Sequence, residues 1–160
     1  MKIVKTTSKK QIQEIVDLLE SENRVLSVDE ASIVSSLKED QCLIAIDDND
    51  HVVGFIRGID WGIDPTLKQQ IIEVGSWVVD PSQRGKGLGK RLLVEISRYM
   101  KAKFHNPLLI DITRKSNHKT CAVLEKLGAK EIALPECIEL TPVGVDPDIF
   151  RFFDVTDVPD

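Results

Sequence analysis

The spacing of hydrophobic residues predicts alternating strands and helices along the chain. A short apolar run at residues 3–6 predicts a first strand. Ser8 with Gln11, and then Ser27 with Glu30, have the spacing of capping boxes, so each pair predicts the start of a helix. Apolar residues at helical intervals support both helices: Ile12, Ile15, Val16 and Leu19 in the first, and Ile33, Val34 and Leu37 in the second.

The central segment begins with a predicted β-hairpin. Its strands, at residues 42–46 and 52–59, flank the sequence Asp-Asp-Asn-Asp, which is typical of a turn. A loop at residues 62–65 leads to a fourth strand at residues 71–79. The longest predicted helix covers residues 86–103 and carries one apolar stripe, formed by Leu88, Leu92, Ile96 and Tyr99.

The C-terminal segment continues with a fifth strand at residues 108–113 and a helix at residues 117–127, which Gly128 would end at the C′ position. Two more strands are predicted near residues 130–134 and 149–154. Strands and helices alternate only in the second half of the chain. This favours an α/β fold with a mixed sheet and helices on both faces over a purely parallel sheet. No repeat or linker precedes residue 135, so we expect a single domain over residues 1–160.

The composition excludes several classes of protein. With 160 residues and 42% hydrophobic content, the chain can bury a core without disulfides or metals. Its three cysteines, Cys42, Cys121 and Cys137, form no C-x-x-C pair, and the three histidines are scattered, so no metal site is expected. A net charge of −5 argues against nucleic acid as a partner. The N-terminus has no long apolar run, so we expect no signal peptide, no membrane span and a cytoplasmic location.

Residues 76–90 are the most informative stretch. A buried strand ends at Asp80-Pro81, and a loop with three glycines leads into a basic helix. Glycines let several backbone N–H groups point at one place, and a helix N-terminus adds positive charge, so the stretch is suited to a pyrophosphate. Seven basic residues and one acidic residue lie between residues 83 and 103, and a local anion best explains the basic ones near the start of the helix.

Two common phosphate-binding motifs do not fit this loop. A nucleotide P-loop needs Ser or Thr after Gly-Lys, but Arg91 follows Lys90. A dinucleotide fingerprint needs its third glycine at the position that Lys90 occupies. The pattern R/Q-x-x-G-x-G/A does fit, as Arg84-Gly85-Lys86-Gly87-Leu88-Gly89.

This loop resembles the acyl-CoA-binding loop of the GNAT (Gcn5-related N-acetyltransferase) family. Residues 117–129, NHKTCAVLEKLGA, resemble the second signature of that family, with Asn, Glu-Lys and Gly in register. The resemblance covers about residues 40–130. It implies a mostly antiparallel sheet of about seven strands that is splayed between the fourth and fifth strands, with acetyl-CoA inserted between them.

The resemblance also implies which residues contact acetyl-CoA. The backbone of Trp77, Val78 and Val79 would bind the pantetheine arm. The pyrophosphate would be bound by the loop residues Arg84, Gly85, Lys86, Gly87, Leu88, Gly89 and Lys90. Asn117 would hydrogen-bond the cofactor arm, although it could instead only start its helix. Gly75 would be the site of a bulge in the fourth strand, or else a simple packing gap.

An amine acceptor must lose a proton before it attacks, so the reaction needs a base. Glu73 is the candidate, because a strand glutamate at the same distance from the loop is the base in the histone acetyltransferases of this family. Asp111 is the reserve candidate. The tyrosine that commonly acts as the general acid is replaced by Leu124, and Tyr99 lies on an apolar helix stripe. His118 and Cys121 are nearby substitutes.

The resemblance therefore implies an N-acetyltransferase that moves an acetyl group from acetyl-CoA to a primary amine in a ternary complex. Two alternatives remain open: a catalytically silent acyl-CoA-binding or regulatory module, and a transferase of a longer acyl group. Acceptor contacts are expected from residues 20–28, 60–69 and 135–147, whose acids could attract a cationic amine; they are Glu20, Glu22, Asp60, Asp64, Glu136 and Asp146. The oligomeric state, monomer or homodimer, does not follow from the sequence.

Overall fold

The computed structural model describes residues 1–5, 8–22, 30–39, 41–140 and 146–159. Within these residues the chain forms seven β-strands and four α-helices. The strands are β1 Lys2–Val4, β2 Cys42–Ile46, β3 Val52–Ile63, β4 Gln70–Val79, β5 Leu108–Arg114, β6 Lys130–Ile132 and β7 Phe150–Asp154. The helices are α1 Lys9–Glu20, α2 Glu30–Lys38, α3 Leu88–Lys103 and α4 His118–Lys126. Every predicted element is present.

Local capping explains where two of the helices begin. At α1 the capping box is confirmed: the Gln11 backbone N–H donates to Ser8 Oγ at 3.2 Å, and the Ser8 N–H donates to the Gln11 side chain at 2.9 Å. Asn117 caps α4 by accepting from the Thr120 N–H at 3.3 Å, and Gly128 follows this helix with a φ of 85°. Ser27, the predicted cap of α2, lies outside the described residues.

The seven strands form one mixed sheet in the order β1-β2-β3-β4-β5-β7-β6. The pairs β1–β2, β2–β3, β5–β7 and β6–β7 are antiparallel, and β4–β5 is parallel. The parallel ladder has three pairs, from Ile71–Leu108 to Glu73–Ile110, whereas β4 continues to Val79 and β5 to Arg114. The predicted fold class, a mixed and mostly antiparallel sheet splayed between its fourth and fifth strands, is confirmed.

The chain forms two compact units, and β3, β4 and α3 each contribute to both. The first unit consists of Met1–Ile59 and Gly75–Ile96. Its core packs the apolar face of α1 against β2 and β3. The buried residues of this core include Ile15, Leu19, Ile33, Ile44, Phe55 and Val78. The predicted stripe of the first helix is therefore confirmed as a core face, with Ile12 and Val16 packed at its edge.

The second unit consists of Asp60–Val74 and Ser97–Asp160. Its core contains Ile71, Ile110 and Ile138, and Trp61 packs against them. The loop after β3 is held by the buried Asp64 carboxylate, which accepts N–H bonds from Leu67 at 2.8 Å, from Thr66 at 3.0 Å and from Cys137 at 3.1 Å. None of the helices in the described residues has the length and apolar character needed to cross a membrane.

Candidate active site

In the first unit, the glycine loop joins the end of β4 to the start of α3. Asp80 begins it by accepting from the Ser82 N–H at 2.8 Å. Gly85 and Gly87 then have φ angles of 75° and 78°, a conformation that side chains with a Cβ rarely adopt. A Cβ at either glycine would meet nothing within 4 Å. The backbone conformation, and not a lack of space, therefore requires glycine at both positions.

The third glycine of the loop has a different role. A Cβ on Gly89 would lie 3.3 Å from Cζ2 of Trp77, which is tighter than most Cβ contacts. Gly89 thus lets the first turn of α3 lie against the indole of Trp77. The helix starts at Leu88, where its first N–H groups have no acceptor within the helix. These donors and the helix dipole favour an anion at this end of α3.

Two basic residues of the loop, Arg84 and Lys86, are bound to the protein itself. Arg84 donates from Nη2 to Glu22 at 3.0 Å and from Nε to the carbonyl of Val79 at 2.9 Å, and its side chain is 40% exposed. Lys86 donates to the carbonyl of Ser82 and to the side chain of Gln83, both at 3.2 Å. Contacts within the protein therefore explain part of the positive charge for which the sequence analysis expects a bound anion. Glu22, one of the acids expected to attract the amine, forms an ion pair with Arg84 instead.

The middle of β4 carries a backbone irregularity. The positive φ angle, 51°, falls on Ser76, one residue after the predicted bulge position Gly75. Of the three residues that follow Ser76, Val78 is buried, whereas Trp77 and Val79 are half-buried. Ser76 Oγ accepts from Nε of Arg57 at 3.1 Å. The sequence reasoning did not select Arg57; a single charge inside the apolar run VVGFIRGI was the available signal.

In the second unit, the candidate base Glu73 is half-buried, and its Oε2 accepts from the indole N–H of Trp61 at 2.9 Å. Asp111 is only 4% exposed, and within the described residues its Oδ1 has no hydrogen-bond partner. Burial, and after it the charge of Glu73, raise the pKa of Asp111 to about 7, although a hydrogen bond with Thr113 partly opposes this shift. The two candidate bases are therefore electrostatically coupled. Trp61 is a residue that the sequence reasoning missed.

The strand register places these two carboxylates on opposite faces of the sheet. Glu73 pairs with Ile110, and Ile71, Ile110 and Trp61 belong to one apolar cluster. Since side chains alternate along a strand, Glu73 lies on the face of that cluster and Asp111 lies on the other. Asp111 is thus not a simple replacement for Glu73, because it is buried and faces away from it.

The remaining predicted positions lie on or beside α4 and α3. Asn117 is half-buried and caps α4, which agrees with the alternative prediction that it starts this helix. Leu124, at the position of the usual tyrosine, is completely buried, and Cys121 is buried as well. Tyr99 is half-buried and has interaction partners of its own. Among the described residues, no group of three or more His, Cys, Asp or Glu side chains could hold a metal ion.

A comparison with known families decides what kind of protein this is. The sequence profile of the acetyltransferase (GNAT) family matches residues 12–129, which include most of α1, the glycine loop and α4. The chain belongs to the GNAT family.

Individual relatives agree with this assignment. The GNAT chain is 35% identical over 100 residues to L-2,4-diaminobutyric acid acetyltransferase from Marinococcus halophilus, a match that covers 60% of this chain and 54% of the relative. The chain thus matches only about half the length of this curated relative.

Solved structures share the fold at lower sequence identity. One is an acetyltransferase of the GNAT family from Staphylococcus aureus, with 17% identity, a TM-score of 0.71 and coverage of 96% of this chain and 98% of that one. Another is the N-acetylglutamate synthase of Neisseria gonorrhoeae, solved with coenzyme A and N-acetyl-glutamate. It has 15% identity and a TM-score of 0.72, and the match covers 95% of this chain and 34% of that one.

Proposed function

We propose that this GNAT protein is an N-acetyltransferase that transfers the acetyl group of acetyl-CoA to a primary amine by direct attack in a ternary complex. The observation that carries the proposal is the loop in which Gly85 and Gly87, both with positive φ, lead into the first turn of α3. Such a loop presents backbone N–H groups to an anion without side chains in the way. The pyrophosphate of acetyl-CoA is the anion that membership of this family suggests.

The donor contacts follow from this placement. Backbone groups at residues 77–79 would bind the pantetheine arm, as proposed from the family resemblance. The pyrophosphate would be bound by residues 84–90, with the N–H groups at Leu88, Gly89 and Lys90 supplying the helix-end donors. Asn117 would contact the arm through its side-chain amide while its Oδ1 caps α4.

Deprotonation of the amine is assigned to Glu73. It is half-buried, so solvent can reach it, and the hydrogen bond from Trp61 fixes its orientation. Asp111, at 4% exposure, cannot meet an acceptor directly, and it acts through its coupling to Glu73. A backbone N–H of β4 would stabilise the oxyanion that forms on the thioester carbonyl. The thiolate would receive its proton from water, because the usual tyrosine is the buried Leu124.

The acceptor that we favour is a small molecule with a primary amine. The diaminobutyric acid acetyltransferase is named for such a molecule, and this chain is 35% identical to it over 100 residues. The synthase of N-acetyl-glutamate is likewise named for the acetyl derivative of an amino acid, although it supports the fold alone.

A silent acyl-CoA-binding module is the second candidate, and the absence of the tyrosine at Leu124 favours it. Steady-state release of CoA, measured with a panel of amines that includes 2,4-diaminobutyrate, separates the two. Turnover with an acetylated product identified by mass spectrometry supports the enzyme. Tight binding of acetyl-CoA without turnover on any amine would favour the silent module.

The loop itself is tested by Gly87→Val, with Gly128→Val as the matched control. Both glycines have positive φ angles, 78° and 85°, and a Cβ on either would meet nothing within 4 Å. The two substitutions therefore impose a similar backbone strain, but only Gly87 lies in the loop. We expect the Gly87 variant to lose acetyl-CoA binding in calorimetry and the Gly128 variant to keep it. Unchanged affinity in a folded Gly87 variant would exclude this loop as the pyrophosphate site.

A further inference from the structure

Three serines of the first unit converge on the side chain of Arg57, in the middle of β3. Its Nη1 donates to the hydroxyl of Ser32 at 2.7 Å and to that of Ser36 at 3.1 Å, and its Nε donates to the hydroxyl of Ser76 at 3.1 Å. Arg57 is only 8% exposed. Ser32 and Ser36 are four residues apart and therefore lie on one face of α2. The guanidinium thus connects α2 on one side with β4 on the other.

The contact with β4 falls on its irregular residue. Ser76 has a φ of 51°, which is unusual for a residue with a Cβ and persists only where the surroundings enforce it. The adjacent Gly75 shows that glycine is tolerated in this part of the strand, but the strained position carries a serine. A serine offers what glycine lacks, a hydroxyl that can accept from Arg57.

The position of Ser76 along β4 gives this contact a functional consequence. Residues 77–79, which follow it directly, are the ones whose backbone groups bind the pantetheine arm under the proposed function. A backbone that turns at Ser76 determines where those N–H and C=O groups point. We propose that Arg57 is a positioning residue for the acyl donor: by holding the Ser76 hydroxyl, it fixes the backbone of β4 for acetyl-CoA. This inference rests on the proposed function.

The test is a set of variants whose acetyl-CoA affinity and thermal stability are both measured. Ser76→Ala removes the acceptor, and Arg57→Lys keeps the charge but loses the planar fork of donors. We expect each to raise the Kd for acetyl-CoA by about tenfold. The double variant should be no weaker than the weaker single variant, because both changes break the same contact.

Two further variants separate positioning from folding. Ser76→Gly removes the hydroxyl and relieves the backbone strain, so it folds readily and should still bind acetyl-CoA about tenfold more weakly. Ser36→Ala is the matched control, since it removes a hydrogen bond to the same guanidinium from the α2 side. It should lower stability while leaving the Kd within about twofold of wild type.

Wild-type affinity in the Ser76→Gly and Ser76→Ala variants would overturn the inference while leaving the proposed function intact. An equal loss of affinity in Ser36→Ala would overturn it too, because the effect would then be general to the packing of Arg57. A wild-type protein that binds no acetyl-CoA would instead overturn the proposed function, and the inference with it.

Discussion

The buried carboxyl of Asp111 makes a quantitative prediction about how the stability of the protein depends on pH. Its pKa is raised from 3.8 to about 7 in the folded chain, first by burial and then by the charge of Glu73. Between these values the folded chain holds a proton that the unfolded chain has released. The free energy of unfolding therefore falls as the pH rises from about 4 to about 7, and this contribution is constant above that range.

The size of the effect follows from the same two values. The whole shift corresponds to about 4 kcal/mol. Somewhat less than half of this, roughly 1 to 2 kcal/mol, is already lost at pH 5, because an unfolded aspartate is mostly ionised there. Between pH 5 and pH 8 the free energy of unfolding of the wild-type protein should therefore fall by roughly 2 to 3 kcal/mol, a loss that the Asp111→Asn variant should not show.

Urea denaturation of wild type and Asp111→Asn at pH 5 and pH 8 measures this difference. Any cost of the extra amide donors is the same at both pH values, so it cancels when the two conditions are subtracted. Asp157→Asn, at a side chain that is 96% exposed, is the control and should show no change between the two pH values. A difference below about 0.5 kcal/mol for Asp111→Asn would refute the assignment of a raised pKa to this carboxyl.

Three further predictions concern catalysis and the loop. Glu73→Gln should lower kcat by on the order of 100-fold while acetyl-CoA still binds. Trp61→Phe, which removes the indole N–H donor together with part of the ring, should lower kcat less than Glu73→Gln does. An unchanged kcat in both variants would remove Glu73 from the mechanism. Arg84→Ala should weaken acetyl-CoA binding in a salt-sensitive way, whereas Glu22→Gln should strengthen it by releasing the guanidinium of Arg84. Calorimetry in which both variants change the affinity in the same direction would contradict a phosphate role for Arg84. Leu124→Tyr should destabilise the protein by about 1 to 3 kcal/mol in urea denaturation without raising turnover, because the position is completely buried.

Those parts of the fold that depend on neighbouring residues could be predicted from the sequence. The capping box of Ser8 and Gln11 is a local hydrogen-bonding pattern, and it is confirmed at the start of α1. The helix predicted from residue 86 begins at Leu88 instead, because Gly85 and Gly87 take left-handed conformations. Strand β3 also differs from its prediction, because it continues to Ile63, through the start of the loop predicted at residues 62–65. Gly62 in the sequence indicates a loop, but the strand continues across it.

Contacts between distant parts of the chain could not be predicted in the same way. Arg84 and Glu22 are 62 residues apart, so no local spacing indicates their ion pair. The link from Arg57 to Ser76 likewise depends on the packing of β3 beside β4. For Asp111, the sequence does contain a usable signal. It lies between Ile110 and Ile112, and strand alternation alone places it on the face opposite to these two residues.

The coupling of Glu73 and Asp111 changes the question of which carboxylate acts as the base. Because they lie on opposite faces of the sheet, they cannot both meet the same acceptor amine. They interact through charge, and the charge of Glu73 is one of the two causes that raise the pKa of Asp111. When Glu73 takes a proton that charge disappears, and the pKa of Asp111 falls. Proton uptake on the half-buried face therefore favours proton release by the buried carboxyl, so the apparent pKa values of an activity profile belong to the pair and not to either residue.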